Sequence, residues 1–116
     1  MSMTTETRKN IRLAIFVGTD KNNLMTNYSV NMNTGGVFIE TDNIRPIDTQ
    51  LVVKFKLPDD DKIITCKARV AWTNERGQLK KHHLPPGMGI QFLDISLDDL
   101  QVLRSFLKEG DLKPIW

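Results

Sequence analysis

The chain has 116 residues, 40% of them hydrophobic and 26% charged, with a formal net charge of +2. That length suits one domain with a single core, which at this size buries roughly two-thirds of the surface its unfolded chain exposes. Its one cysteine, Cys66, excludes an internal disulfide, no run approaches the ~20 apolar residues of a membrane span, and the opening MSMTTETRKN lacks the apolar stretch of a secretory signal. The expectation is a cytoplasmic protein without membrane insertion.

In chain order, the first feature is RKNIR, residues 8–12, where Arg8 and Arg12 stand with no acidic residue beside them, ahead of the first predicted strand. Period-two alternation then predicts strands at RLAIFVG (12–18), MTNYSVNM (25–32) and GVFIET (36–41). TDKNN, NIRPIDT and PDDDK supply turn chemistry between strands. In QLVVKFKL (50–57), Leu51, Val53, Phe55 and Leu57 share one face, the pattern of a strand with one buried side. ITCKARVAW (64–72) repeats it with Cys66, Ala68, Val70 and Trp72 inward, and MGIQF (88–92) with Met88, Ile90 and Phe92 inward. Six short strands at roughly ten-residue spacing define a mainly β chain, a small antiparallel barrel or sandwich. Between the last two, RGQLKKHHLPPG (76–87) is long and polar for a strand connection, either an idle loop or a partner contact.

The end of the chain changes period. In SLDDLQVLRSFLKEG, Ser96 is a good N-cap, Asp99 is placed to complete a capping box, and Leu100, Leu103, Phe106 and Leu107 recur at helical spacing. Asp98 and Asp99 in the first turn and Lys108 in the last complement the helix dipole, and Gly110 is the expected stop. The apolar stripe is expected to pack on an open end of the barrel.

Catalytic constellations are hard to find. A hydrolytic triad needs an imidazole near a nucleophile, but the two histidines, His82 and His83, are adjacent in a polar loop before Pro85 and Pro86. They lack further ligands for a zinc site, Cys66 faces the core, and the acids of PDDDK suit a solvated hairpin tip, so no enzyme activity and no metal are expected. Net charge and the scatter of basic residues give little support to a nucleic acid polymer as partner. A single-strand binder would want exposed aromatics among the basic residues, whereas Trp72 is expected inward and Tyr28 is the one tyrosine.

NMNTGGVFIET (31–41) carries the more specific signal. Two successive glycines entering a strand mean that the backbone needs either positive φ or close approach to something. Asn31 and Asn33, two apart, point their amides to one side of an extended chain. On spacing alone, a glycine bulge with asparagines capping a turn accounts for these residues.

Taken together, the two segments resemble the PilZ domain family, whose signature is Arg-x-x-x-Arg followed about twenty residues later by Asp/Asn-x-Ser-x-x-Gly at the start of a strand. Arg8 to Arg12 match the first half; Asn31-Met32-Asn33-Thr34-Gly35-Gly36 match the second except at Asn33, where the family usually has serine. GGVFIET, LPDDDK, ARVAWTNE, PPGMGIQFLDIS and the terminal helix follow in the order of stand-alone PilZ proteins, so the resemblance covers nearly all of residues 8–108.

The resemblance implies a six-stranded antiparallel, split-type β-barrel with a C-terminal helix. Segment boundaries are then a flexible N-terminus over 1–7, a domain over 8–110 and a tail over 111–116. Within the domain, the arginine segment spans 8–12, the barrel about 12–94 and the helix about 97–109. It also implies a receptor for the bacterial second messenger cyclic di-GMP, with no other cofactor, using Arg8, Arg12, Asn31, Asn33, Gly35 and Gly36. Arginine forks onto phosphate oxygens or guanine O6 and N7, and stacks on bases, which suits a ligand with two phosphates and two guanines. Binding is expected to draw a mobile Arg8–Arg12 segment onto the barrel and so regulate an unidentified effector protein, the chain itself being a monomer or weak dimer. Asn33 in place of serine and Thr7 before Arg8, where many relatives carry a third arginine, bear on affinity and stoichiometry. The competing expectation is a PilZ-like protein–protein adaptor that no longer binds the dinucleotide.

Overall fold

A computed structural model describes residues 8–58 and 61–112. The expected N-terminal segment 1–7 with Thr7, the centre of the PDDDK tip and the last residues of the expected tail lie outside them. Among the described residues, seven strands and one helix are formed: β1 (Lys9–Asn10), β2 (Ala14–Gly18), β3 (Met25–Asn33), β4 (Gly36–Glu40), β5 (Gln50–Lys56), β6 (Ile63–Asn74), β7 (Gly87–Phe92) and α1 (Leu97–Leu112). Every pairing is antiparallel, in the order β3-β2-β5-β6-β7-β4, and a β3–β4 pairing closes the sheet into a six-stranded barrel. Closure leaves these six strands without open edges.

Inward positions follow the alternation. Leu51, Val53, Phe55 and Leu57 are buried, as are Cys66, Ala68 and Val70, and Met88, Ile90 and Phe92. With Ile15, Met32, Val37, Ile39 and Ile64 they fill one core. Burying such side chains supplies about 1.5–3 kcal/mol each relative to exposure, which makes this face the main source of stability.

Three local expectations are corrected. The strand read as 12–18 begins at Ala14, and Lys9–Asn10 is a separate two-residue ladder on β3, so part of the arginine segment is already in the sheet. Between them the chain is stitched by Ser29: its buried hydroxyl accepts from Leu13 N at 2.8 Å and donates to the Ile11 carbonyl. An extra residue in β3, Val30, makes the matching bulge.

Second, Trp72 is not in the core. A bulge at Ala71 shifts the β6–β7 register between Val70 and Trp72, and one extra residue reverses the facing of all that follow. Trp72 therefore lies on the outer wall, half-buried, while Thr73 and Asn74 are buried.

Third, α1 runs through Gly110 to Leu112, so Gly110 is not the stop and Lys108 is not in the last turn. Glycine inside a helix costs only about 1 kcal/mol relative to alanine. The N-cap is as expected, with Ser96 Oγ accepting from Asp99 N at 3.1 Å, but the Asp99 carboxylate turns to Lys62 Nζ at 3.0 Å. Leu103 and Leu107 seat the helix on one end of the barrel.

Candidate functional site

The two halves of the motif meet on the outer wall of β3 and β4. Met32 points into the core, so Asn31 and Asn33 point out. Arg8 Nε donates to Asn31 Oδ1 at 2.5 Å, and its Nη2 donates to the Gly36 carbonyl at 3.3 Å. Packing there withdraws enough water from the guanidinium to lower its pKa from the ordinary value, although an arginine keeps its charge at neutral pH.

Asn33 has a local task. Its Oδ1 accepts from Gly35 N at 2.9 Å and Gly36 N at 3.0 Å, closing the turn between β3 and β4. A serine hydroxyl makes the same kind of turn bond more weakly, so the departure from serine preserves the hairpin. Neither glycine has positive φ. At Gly36 the need is close approach, but to the protein itself: a Cβ would lie 2.2 Å from the Ile90 carbonyl oxygen of β7. At Gly35 a Cβ would meet only Asn33 Oδ1, at 3.4 Å. The turn half of the turn-and-bulge reading holds for Asn33 alone: Asn31 bonds Arg8, the register shift of β3 lies at Val30 and not at the glycines, and Gly36 is required by its approach to β7.

Arg12 is brought to an acid that the sequence places far away. Its Nη1 lies 3.8 Å from Glu40 Oε1, and its guanidinium sits 4.4 Å from the centre of the Tyr28 ring. Both pair members are largely exposed, so the attraction is worth at most about 1 kcal/mol. These residues border a cleft of about 270 Å³ that also takes in Thr26, Asn27, Asp42 and Arg76. Arg76 forks onto Asp42 with contacts of 3.0–3.2 Å, so the cleft carries two cations and two carboxylates.

An aromatic wall continues the same surface. Phe38, paired with Asn31, stacks on Trp72 with centroids 5.0 Å apart. Two glycines make room for the rings. A Cβ on Gly89 would meet Trp72 Nε1 at 2.0 Å, and one on Gly87 would come 2.8 Å from Phe38 Cζ. Lys81 Nζ stands 5.7 Å from the Trp72 ring centre. Sequence reading missed this wall, though G-M-G was a signal: glycines at alternate, outward positions leave a hollow that neighbouring rings fill.

The loop after β6 is held from below by Asn74, which is fully buried. Its Nδ2 donates to the carbonyls of Lys81, Leu84 and Pro85, and its Oδ1 accepts from Lys80 N and Lys81 N. The loop is thus built into the wall, and His82 and His83 remain exposed.

A closed β-barrel capped by a helix, with arginines, amides and an aromatic pair gathered on one outer face, is the architecture of a small ligand-binding or adaptor domain. The PilZ domain family model matches residues 5–109, and the chain belongs to that family of cyclic di-GMP effector domains. Among solved structures, the Bacillus subtilis inhibitor of motility (MotI/DgrA) shares the fold with a TM-score of 0.77 at 16% identity, covering 94% of this chain and 51% of that one. The chain thus spans about half the length of that structure. No curated protein matches it in sequence. Among the described residues, no helix is long and apolar enough to cross a membrane.

Proposed function

We propose that this chain is a receptor for cyclic di-GMP that signals occupancy to a partner protein. The observation that carries the reading is the joining of Arg8, Asn31 and Gly36 by hydrogen bonds, which places both halves of the family motif on one face. Arg8 and Arg12 supply guanidinium forks for phosphate and guanine edges. Asn31 offers amide groups beside them, and Asn33, Gly35 and Gly36 shape the turn against which the ligand lies. Trp72, on the same wall, offers a ring face to a base.

The conformational step is smaller than the sequence implies. Lys9–Asn10 already pairs with β3, so the ligand does not have to recruit a free arm. What changes is the partner of each arginine. Arg12 trades Glu40 for ligand oxygens, while Arg8, held on Asn31 through Nε, trades the Gly36 carbonyl for them, and the ligand shifts the equilibrium by the difference in those affinities. The altered charge and shape of the wall are then what an effector protein reads.

A second reading, an adaptor that has lost the ligand, draws support from the same pairings. Both arginines have partners within the chain, so their retention does not by itself imply an external anion. Calorimetric titration of cyclic di-GMP separates the two readings, with GTP as control and an Arg8→Ala/Arg12→Ala variant alongside. The receptor predicts saturable heat that the variant loses. No heat from a folded wild-type chain leaves the adaptor.

A further inference from the structure

The end of the barrel opposite α1 holds a larger cavity than the arginine cleft. It measures about 520 Å³ and lies between the turn after β2 and the connection from β4 to β5. Asn27 and Thr41 line both cavities and form the wall between them. A volume of this size falls within the roughly 300–1,000 Å³ of small-molecule sites, and barrel mouths are a recurrent place for them.

The lining is chemically one-sided. Val17, Leu51 and Met88, all buried, make an apolar floor, and Asn22 and Asn43 bring amides to the rim. Among the described residues, no carboxylate lines the cavity and Arg45 is its one formal charge. Arg12, Arg69 and Arg76 each reach an acid, at 3.8, 2.7 and 3.0 Å. Arg45 is half-buried, yet it has no ion pair or hydrogen-bond partner among the described residues. A guanidinium without a partner beside apolar surface is half of a recognition pair, since its charge favours a carboxylate that forks onto it.

The walls are fixed before any ligand arrives. Asp20 accepts from Asn22 N at 2.7 Å and Asn23 Nδ2 at 3.0 Å, locking the turn. That turn is packed so closely on the end of β2 that a Cβ on Gly18 would lie 2.3 Å from the Asn23 carbonyl oxygen. On the other side, Thr41 N donates to the Pro86 carbonyl at 3.1 Å and Asp48 N to that of Val70 at 2.8 Å. A preformed cavity spares a ligand the cost of ordering its walls.

We propose that the barrel mouth is a second binding site, for a compact monocarboxylate with an apolar body: the carboxylate on Arg45 and the rim amides, the body on Val17, Leu51 and Met88. A dianion leaves one charge uncompensated, and a neutral molecule leaves Arg45 unpaired. This site shares no arginine with the proposed dinucleotide site and stands whether or not cyclic di-GMP binds.

The test is an NMR titration of the full chain with benzoate, hexanoate and N-acetyl-leucine, following backbone amides and the methyl groups of Val17, Leu51 and Met88. N-acetyl-leucinamide serves as the uncharged match. The expected result is saturable shifts confined to the mouth from at least one carboxylate, binding at least tenfold tighter than the amide. Arg45→Gln abolishes the preference for charge, and Arg45→Lys restores part of it, while both variants keep wild-type spectra elsewhere. The proposal is overturned if no carboxylate saturates up to its solubility limit, if the shifts scatter over the surface, or if Arg45→Gln binds as wild type.

Discussion

Arg8 Nε and Asn31 Oδ1 are hydrogen-bonded across 23 residues of sequence, a contact made possible by the short β1 ladder on β3. Asn31 holds Arg8 in place and, on the proposed receptor function, also faces the ligand. Asn31→Ala removes both effects, and cyclic di-GMP affinity is expected to fall about tenfold, the equivalent of ~1.4 kcal/mol. The bond is exposed, so folding stability should move by no more than about 0.5 kcal/mol. Calorimetry paired with urea unfolding checks both numbers; an affinity loss matched by gross destabilisation would count against a binding role.

On the proposed receptor function, Glu40 competes with the ligand for Arg12. Glu40→Gln removes the carboxylate 3.8 Å from Arg12 Nη1 and one negative charge from the cleft. Cyclic di-GMP affinity is expected to rise about three- to fivefold, in keeping with an exposed pair worth up to ~1 kcal/mol. The gain should shrink as salt is raised, because screening already weakens the competitor. Titrations at low and high ionic strength test this, and unchanged affinity at low salt would mean that Arg12 does not exchange partners.

The two successive glycines at the turn into β4, Gly35 and the motif's Gly36, separate cleanly. Gly36→Ala drives a methyl group onto the Ile90 carbonyl oxygen and must displace β4 from β7, at a cost of about 2–4 kcal/mol. Gly35→Ala meets only Asn33 Oδ1 at 3.4 Å, and a change within about 1 kcal/mol is expected. Chemical denaturation of the pair decides it. Equal destabilisation would show that the turn, and not the approach of β7, is what requires glycine.

Cys66 is kept from reacting by its surroundings. Burial, followed by the nearby Asp94 and Asp99 carboxylates, pushes its thiol up to about 12. The thiolate is the reactive form, so labelling of the native protein at pH 8 should follow unfolding, with rates that rise in denaturant. The sign for stability follows. The folded thiol binds its proton more tightly than the unfolded one, so this contribution is intact below about pH 8.5 and is lost as pH rises towards 12. Rapid labelling in native buffer would contradict the burial.

How far the sequence spoke for the fold depends on where its periodicity stayed regular. Leu51, Val53, Phe55 and Leu57 alternate without interruption, and all four are buried. Alternation failed at Trp72 because a one-residue bulge at Ala71 leaves no mark in composition, yet it moves a tryptophan from core to outer wall. Gly110 misled for another reason: its helical cost is small beside the packing of Leu103 and Leu107 that carries the helix past it. At the candidate site, the motif put Arg8 and Asn31 in one neighbourhood. The Arg12–Glu40 pair, the Ser29 stitch and the Asn74 brace depend on strand register and loop path, which local sequence does not encode.

Asn74 offers the sharpest test of how the loop is built. The two N–H groups of one buried amide reach three carbonyls, one hydrogen being shared, and its oxygen accepts from two backbone amides, so Asn74→Ala strands several polar groups under the loop and is expected to cost about 2–4 kcal/mol. Hydrogen exchange at Lys80 and Lys81 should rise to the rate of an open loop, while that of β5 and the first half of β6 holds. Asn74→Asp sharpens the argument. One carboxylate oxygen still accepts from Lys80 N and Lys81 N, but the other faces three carbonyl oxygens and can bond one of them only when protonated, by donating that proton. Burial and those carbonyls raise the carboxyl's folded pKa above its unfolded value, so the stability of this variant should be greatest at low pH, where the group is protonated in both states, and fall as pH climbs through the folded pKa. Thermal melts of wild type and variant from pH 4 to 8 read the difference directly. If the gap between them does not widen with pH, the amide of Asn74 is not the donor that holds the loop.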